Sequence, residues 1–319
     1  MKIKLFLVSF LFISITYCQT KTSTLKENNT KTEVEIDSLT VKKHLYTLAS
    51  DAMEGRKVGT PGIEKAAKYI EGEFKRIGLT TFNDLPSYRQ NFRKNEMDLF
   101  NIIGVLEGKS KKDEFVVISA HFDHLGIKSS GEDKIYNGAD DDASGVSAVL
   151  ALAEYFKNIA SNERTIVFVT FTGEEQGMYG STYFGTQINA KDYVAGINIE
   201  MIGKESKFGP KTAWLTGFKR SDFGKIIQKN LENTAYKLYP DPYIGYNLFF
   251  RSDNASMAKL GIPAHTFSTG PLDNDKHYHQ VSDEAETLNI TTITETIKAI
   301  AKGTKSIIDG TDTPTRIED

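Results

Sequence analysis

Cysteine is nearly absent from this chain, since Cys18 is the only one among 319 residues. No disulfide can therefore form within one chain, and a core of this length does not need one. The net charge is also small, because 39 Lys and Arg against 42 Asp and Glu leave a formal charge of −3. This mild acidity gives no reason to expect nucleic acid or an anionic membrane as a partner. The composition, 39% apolar and 25% charged, fits a globular protein with a sizeable core.

The apolar run Leu5–Ile15 near the N-terminus is too short to span a bilayer comfortably. It follows two lysines, and this order predicts a secretory signal peptide over residues 1–18. Cleavage after Cys18 would remove that cysteine. The alternative is a lipid anchor on Cys18, which Tyr17 disfavours because a bacterial lipobox has a small residue there. We therefore expect a secreted, periplasmic or cell-envelope protein whose mature chain has no transmembrane segment.

The rest of the chain predicts one domain. Residues 19–36 are polar and rich in Thr, Lys and Asn, which is typical of a flexible leader. Residues 37–310 show neither internal repeats nor low complexity, and we expect a single domain there. Residues 311–319 are expected to be a frayed tail.

Buried strands alternate with helices along the domain. Continuous apolar runs such as Phe115–Ala120 are typical of strands covered on both faces. The pattern predicts a mostly parallel central sheet with helices on both faces. The predicted strands are Asn101–Leu106, Phe115–Ala120, Thr165–Phe171, Tyr193–Ile199 and Ile262–Phe267. The predicted helices are Pro61–Ile77, Ser144–Ala160, Phe223–Leu231, Ala255–Leu260 and Leu288–Ile308.

Polar side chains follow three of these strands. His121 and Asp123 come directly after one strand, Glu174 and Glu175 after the next, and Glu200 ends a third. Ligands of open α/β sheets bind beyond the carboxyl ends of the strands, so these side chains should meet at one edge. The imidazole and the carboxylates together predict a metal site there.

Two carboxylate groups have alternative explanations. Glu200 interrupts an apolar run, so its carboxylate needs a partner, either a metal ion or an Arg or Lys. The run Asp140-Asp141-Asp142 precedes a helix, where the helix dipole favours acids. Three adjacent carboxylates repel one another, so a bound cation explains them better, and one aspartate can bridge two metal ions.

Histidines elsewhere are harder to assign from spacing. His277 and His279 lie in a loop rich in Gly, Pro and Asp, and either, or neither, is a ligand by spacing alone. His44, His124 and His265 are interpreted as structural or as supporting residues, the last because it lies within a strand.

The order of these motifs resembles the M28 family of dizinc aminopeptidases. The matching segments are His121-Phe-Asp123, the run Gly138–Gly145, Glu174-Glu175-Gln-Gly, the strand-end Glu200 and Tyr278-His279. The resemblance covers about residues 40–305. It extends to Met53-Glu54-Gly55-Arg56, Gly59-Thr60-Pro61-Gly62, Arg251-Ser252-Asp253 and Gly261-Ile262-Pro263.

The resemblance implies two Zn²⁺ ions and a role for each matching residue. Asp141 would bridge both ions, and its peptide bond to Asp142 would be cis. His121 and Glu200 would complete one zinc site. The ligands implied for the other are Glu175 and His279.

The resemblance also implies two residues that act without binding metal. Asp123 would accept a hydrogen bond from His121 and fix its tautomer. Glu174 would act as general base toward the attacking water and then pass the proton to the leaving amine.

The chain departs from the family pattern at three positions. Glu200 stands where many members have Asp. Phe249 replaces a Tyr that helps to stabilise the oxyanion in well-known secreted members, and Tyr243 or Tyr246 are the candidate substitutes. Asn254 follows the Ser-Asp pair where His is common. None of these changes removes an implied ligand.

The leading functional hypothesis is a secreted zinc aminopeptidase that acts on peptide or protein N-termini. The free amino group of the substrate would lie near Glu174, Asp253 or a zinc ion. Arg251 either meets a substrate carboxylate or pairs with a surface acid. The alternatives are a one-zinc enzyme resembling glutaminyl cyclase and a non-catalytic, receptor-like relative.

Overall fold

The computed structural model describes Met1 and residues 34–318. The predicted signal peptide, Cys18 and most of the predicted leader therefore lie outside the described residues. In chain order, helices α1 to α8 are Ser38–Leu48, Pro61–Ile77, Gly145–Ile159, Tyr179–Thr186, Phe223–Leu231, Asn254–Ala258, Ile290–Gly303 and Lys305–Ile308. Strands β1 to β10 are Arg89–Lys94, Met97–Leu106, Lys111–His121, Gly126–Ile127, Ile135–Tyr136, Arg164–Phe171, Tyr193–Ile199, Thr212–Leu215, Lys237–Pro240 and Ala264–Ser268.

An eight-stranded sheet organises the fold, with strand order β1-β2-β6-β3-β7-β10-β8-β9. The four central strands β6, β3, β7 and β10 run parallel to one another. Antiparallel strands β2 and β8 flank them on the two sides. The predicted fold class, a mostly parallel α/β sheet, is confirmed.

The sheet is covered on both faces, as the continuous apolar runs of β3 and β6 predicted. In β3, Val116 and Ile118 belong to the larger core cluster, whereas Val117 between them belongs to the smaller one. This alternation follows from the two-residue period of a strand. Helices α1, α2, α3, α5 and α7 contribute to the larger cluster, and α4 and α6 contribute to the smaller one.

All five predicted strands are present, but the outer strands were missed. The sequence of β1, Arg-Gln-Asn-Phe-Arg-Lys, is too polar to show an apolar pattern. Strand β8 has only four residues, although all four are buried. Short or polar strands carry too little periodicity to be recognised from one sequence.

Two helix boundaries differ from the prediction. The closing helix, predicted over Leu288–Ile308, is two helices, α7 and α8, which meet at Thr304. Glycine and threonine both have low helix propensity, and they stand together at Gly303 and Thr304. The helix predicted over Ala255–Leu260 spans Asn254–Ala258 instead.

The segment after Gly310 differs from the expected frayed tail, because it is hydrogen-bonded to the domain. The buried guanidinium of Arg164 donates to the carbonyl of Asp312 over 2.7 Å. Arg316 donates to the carbonyl of Tyr193 over 2.8 Å. At the other end, Ile36 is buried in the larger core cluster. The described residues from Val34 onward form one compact unit. No helix among the described residues is long and apolar enough to cross a membrane.

Candidate metal centre

The predicted ligands lie at the carboxyl ends of neighbouring strands. His121 is the last residue of β3, Glu175 lies in the loop after β6, and Glu200 directly follows β7. His279 lies in the loop after β10, and Asp141 precedes helix α3. Since β6, β3, β7 and β10 are adjacent and parallel, these ends form one edge of the sheet.

Asp141 stands between two histidines. Its Oδ1 lies 3.1 Å from His121 Nε2, and its Oδ2 lies 3.1 Å from His279 Nε2. The same nitrogen of His279 lies 3.3 Å from Glu175 Oε2. The peptide bond between Asp141 and Asp142 is cis, as the family resemblance implied. The structure therefore brings four of the five predicted ligands into direct contact.

Glu200, the fifth predicted ligand, makes no such contact. Its Oε2 is buried and has no hydrogen-bond partner among the described residues. Burial raises the pKa of its carboxyl, and the charge of His121 opposes that rise. A buried carboxylate oxygen without a donor is a group that a cation would satisfy.

The charges of these groups are strongly linked. Burial would raise the pKa of Asp141, but its contacts with His121 and His279 hold that pKa well below the usual range. Burial would lower the pKa of His279, but Asp141 and Glu175 raise it to about 10. Burial would likewise raise the pKa of Glu175, and His124 and His279 lower it to about 2. The structure therefore favours ionised carboxylates at Asp141 and Glu175.

Asp123 makes different contacts from those expected. His121 Nδ1 lies 3.1 Å from the backbone oxygen of Asp123 but 3.9 Å from its carboxylate. The carboxylate accepts instead from the backbone N–H groups of Glu174 and Glu175, over 3.2 and 3.4 Å. The physical reason is that the side chain points toward the loop after β6, where these two N–H groups need an acceptor. Asp123 thus orients the loop that carries both glutamates.

Glu174 lies beside the predicted ligands without contacting them. Burial raises the pKa of its carboxyl well above the usual range, and the charge of His121 acts against that rise. A carboxyl whose pKa lies above its ordinary value is suited to accept and return a proton near neutral pH.

Sequence reasoning missed the position of His124. Its Nδ1 lies 2.8 Å from Glu175 Oε1, and the ring is fully buried. His124, Asp141 and Glu175 offer ligand atoms that all lie within 4.8 Å of one another, as a metal site requires. The one signal in the sequence was its place in the loop directly after Asp123.

The remaining candidates have partners or surroundings of their own. His277 Nδ1 lies 3.0 Å from Ser282 Oγ, which gives it a partner within its own loop. Tyr243 donates its hydroxyl to Asp273 over 3.1 Å. Phe249 is buried, and half-exposed Tyr246 lies on the rim of a neighbouring pocket.

Asp253 begins helix α6 without capping it. Its side chain makes no capping hydrogen bond, and both carboxylate oxygens are buried without a partner among the described residues. Burial raises the pKa of this carboxyl to about 7. Asp253 is therefore a buried acid that takes no part in capping its helix.

A pocket of about 240 Å³ opens next to Glu200. Its walls include the aromatic rings of Trp214, Tyr246 and Tyr278, and Arg251 lies at its lining. A concave site with apolar walls and a few polar groups beside reactive residues is the usual form of a small-ligand site.

The donor set fits zinc. Zinc in proteins is bound by imidazole nitrogens and carboxylate oxygens at about 2.0–2.2 Å, which places two ligands of a tetrahedral ion about 3.3 Å apart. The contacts of Asp141 and Glu175 with the two histidines fall close to that separation. Asp142 Oδ2 is in addition buried without a hydrogen-bond partner among the described residues.

Fold and site together define an α/β protein with a candidate metal centre at the carboxyl edge of its central sheet. The sequence model of peptidase family M28 matches residues 101–304. The chain therefore belongs to peptidase family M28, and the resemblance that the motifs indicated is confirmed.

Curated relatives match parts of the chain. A probable zinc metalloprotease of Pyricularia oryzae is 31% identical over 156 residues, which cover 46% of this chain and 31% of that protein. Aminopeptidase YwaD of Bacillus subtilis is 29% identical over 235 residues, which cover 72% of this chain and 42% of that protein. The chain thus spans less than half the length of each of these relatives.

Solved structures share the fold across nearly their whole length. BSAP, a zinc aminopeptidase from Bacillus subtilis, has a TM-score of 0.73 at 14% identity, covering 90% of this chain and 99% of that chain. The glutaminyl cyclase of Porphyromonas gingivalis has a TM-score of 0.64 at 15% identity, covering 85% and 99%. At these identities the likeness concerns the fold alone, which an aminopeptidase and a cyclase both have.

Proposed function

We propose that this protein is a zinc aminopeptidase that binds two zinc ions and hydrolyses the N-terminal peptide bond of peptides or proteins. The observation that carries the proposal is the placement of Asp141, whose two carboxylate oxygens each lie 3.1 Å from a different histidine. A carboxylate in that position can serve two metal ions at once.

The proposed ligand sets share Asp141. His121 and Glu200 would hold one zinc ion with it, and Glu175 and His279 would hold the other. His124 would orient Glu175 through their 2.8 Å contact. Zinc bound at such a site supplies Lewis-acid polarisation of the scissile carbonyl.

Glu174 would act as the general base of the reaction. Its carboxylate would take a proton from the attacking water and return it to the amine that leaves. Asp123 supports this role, because its carboxylate holds the backbone N–H of Glu174 and so fixes where the side chain starts. The raised pKa of Glu174 supports the same role, since the proton must be both accepted and released.

Asp253 would receive the free amino group of the substrate. An ammonium group would supply hydrogen bonds to two buried oxygens that have no partner among the described residues. The substrate's first side chain would then enter the pocket beside Glu200. Blocking the amine by acetylation would remove both the charge and two of the donors.

The protein is also proposed to be exported, on the strength of the basic and apolar residues within positions 1–18. The mass of the chain recovered from the culture medium or envelope of an expressing bacterium tests this. A chain beginning at Gln19 supports cleavage after Cys18, a lipid mass on Cys18 supports the anchor, and an uncut chain in the cytoplasm contradicts both.

The central experiment counts zinc per chain and compares cleavage of a free-amine peptide with that of its N-acetylated twin. The proposal expects two zinc ions, cleavage of the free-amine peptide only, and loss of cleavage on chelation. One zinc ion together with cyclisation of an N-terminal glutamine would instead indicate an enzyme like glutaminyl cyclase. Two zinc ions without any reaction would indicate a non-catalytic relative.

A further inference from the structure

Arg56 is a buried arginine whose contacts in the described residues are backbone carbonyls. Only 1% of the residue is exposed. Its guanidinium donates to the carbonyl oxygens of Leu48, Phe122, Asn137 and Gly138 over 2.7, 2.9, 2.6 and 2.9 Å. An arginine normally meets a carboxylate when it is buried, so this arrangement is unusual.

Three of the four carbonyls, those of Phe122, Asn137 and Gly138, belong to segments that lead into the candidate metal centre, and the fourth, that of Leu48, ends helix α1. Phe122 lies between His121 and Asp123 in the loop after β3. Gly138 lies three residues before Asp141. One rigid guanidinium therefore joins the segment directly after His121 to the segment that leads to Asp141. His121 Nε2 and Asp141 Oδ1 lie 3.1 Å apart.

The turn that presents Arg56 is itself tightly fixed. Glu54, Gly55 and Arg56 all have positive φ angles, of 51°, 65° and 48°. A Cβ atom at Gly55 would lie 2.4 Å from the carbonyl oxygen of Gly126, so only glycine fits there. The carbonyl of Arg56 in turn accepts from the backbone N–H of His124 over 3.2 Å. The turn is thus tied to the same loop after β3.

The charge of Arg56 acts on the acids of the centre. Burial lowers the pKa of Arg56, while the charges of Asp141, Asp283 and Asp123 act in the opposite direction. A buried cation is costly unless opposite charges surround it. Arg56 therefore offsets the repulsion among the carboxylates, although it forms an ion pair with none of them.

We propose that Arg56 is a positioning residue for the metal centre, holding the loops of His121 and Asp141 at the separation that zinc requires. This inference rests on the zinc site of the proposed function. It predicts that the arginine contributes to zinc affinity through the backbone, without touching the ion or the substrate.

Arg164 provides a control that matches Arg56 in burial and in its carbonyl acceptors, and it differs in also pairing with Glu114 Oε2 over 2.6 Å. It is also buried, and it donates to the carbonyl oxygens of Ile307 and Asp312 over 2.6 and 2.7 Å. It begins strand β6, at the opposite edge of the sheet from the metal centre. Replacing either arginine by lysine keeps the charge and removes the planar fork that reaches several carbonyls.

The test compares Arg56→Lys, Arg56→Gln and Arg164→Lys in the full chain. Zinc affinity is measured by competition with a chelator, and the melting temperature is measured in the presence of excess chelator. We expect both Arg56 variants to bind zinc about tenfold or more weakly, the usual effect of losing a group that orients metal ligands. We expect Arg164→Lys to keep zinc affinity within about twofold while losing as much stability as Arg56→Lys.

Several outcomes would overturn the inference. Unchanged zinc affinity in Arg56→Lys would overturn it. An equal loss of zinc affinity in Arg164→Lys would also overturn it, because the loss would then follow from lower stability alone. Failure of both Arg56 variants to fold in saturating zinc would assign the arginine to the fold as a whole. Failure of the proposed function would be seen separately, as a wild-type chain that binds zinc without cleaving peptides or binds none.

Discussion

The carboxylate of Asp283 holds the backbone of Asp141: its Oδ2 lies 3.1 Å from the amide nitrogen of Asp141 and accepts that N–H. Both oxygens of Asp283 also accept from the N–H of Asp140 over 3.1 Å. Asp283 lies four residues after His279, so it connects the loop of that histidine with the segment that contains Asp141. Asp283 thereby links two predicted ligands, Asp141 and His279, that lie far apart in the sequence.

We expect Asp283→Asn to weaken zinc binding about tenfold and to lower the free energy of unfolding by about 1–3 kcal/mol. The side-chain amide of asparagine has an NH₂ group in place of one carboxylate oxygen. This group cannot accept from the backbone N–H groups, so at least one hydrogen bond is lost. Chelator competition and chemical denaturation measure the two effects. Asp37→Asn is the control, because Asp37 also accepts two backbone N–H groups but does so at the start of α1. Equal zinc affinity in both variants would contradict the prediction.

Glu174→Gln should abolish most activity while leaving the metal in place. The amide cannot accept the proton of the attacking water, and general base catalysis of this kind contributes about 10²–10⁴-fold to the rate. The measurement is kcat on a free-amine peptide, alongside zinc content and KM. Activity within a few-fold of the wild type would assign the proton to another group, and loss of zinc would make Glu174 a ligand.

His279 and His277 offer a direct comparison of neighbouring histidines. His279→Ala should remove one of the two proposed zinc ions, because its Nε2 contacts both Asp141 and Glu175. His277→Ala should leave the content unchanged, since His277 bonds to Ser282 in its own loop. Metal analysis after dialysis gives the answer. Loss of zinc in the His277 variant would reverse the assignment.

His265 should make folding less favourable at acidic pH. Burial lowers its pKa to about 4 in the folded chain, below its ordinary value of 6.5. As the pH falls, the unfolded chain therefore binds the proton first, so stability present above about pH 6.5 is lost toward pH 4. Between about pH 7.5 and pH 4.5 the wild type should lose about 2–3 kcal/mol more than His265→Gln.

Denaturant titrations at the two pH values measure that difference, and other titrating groups cancel between wild type and variant. His265 is well placed for this test because its ring lies 2.8 Å from the Thr216 carbonyl and 2.8 Å from Ser221 Oγ, away from the predicted ligands. Parallel pH profiles in the two proteins would show that His265 is protonated equally in both states.

The sequence predicted the parts of the molecule that depend on local pattern. Runs such as Phe115–Ala120 must be buried on both faces, and a polar residue directly after such a run has to lie at the sheet edge. For this reason His121 and Glu200 were placed correctly at strand ends. The fold class followed from the same runs.

The sequence pattern did not predict contacts between distant segments. Nothing near Asp123 indicates that its carboxylate accepts from the loop after β6, and nothing near His124 indicates its contact with Glu175. Arg56 was recognised as part of a motif, but its four carbonyl partners come from three separate segments. Such contacts arise only when the sheet order brings the segments together.

The way in which residues after Gly310 pack has a practical consequence for protein engineering. A crystallographer who trims the chain at that glycine removes the carbonyl of Asp312 and the hydroxyl of Thr313, so the guanidinium of Arg164 loses two of its acceptors. The shortened protein should express poorly although its candidate metal centre is untouched. Purification tags are better placed after Arg316, since that side chain donates to the carbonyl of Tyr193 at the amino-terminal start of β7, at the other end of the strands from the candidate metal centre.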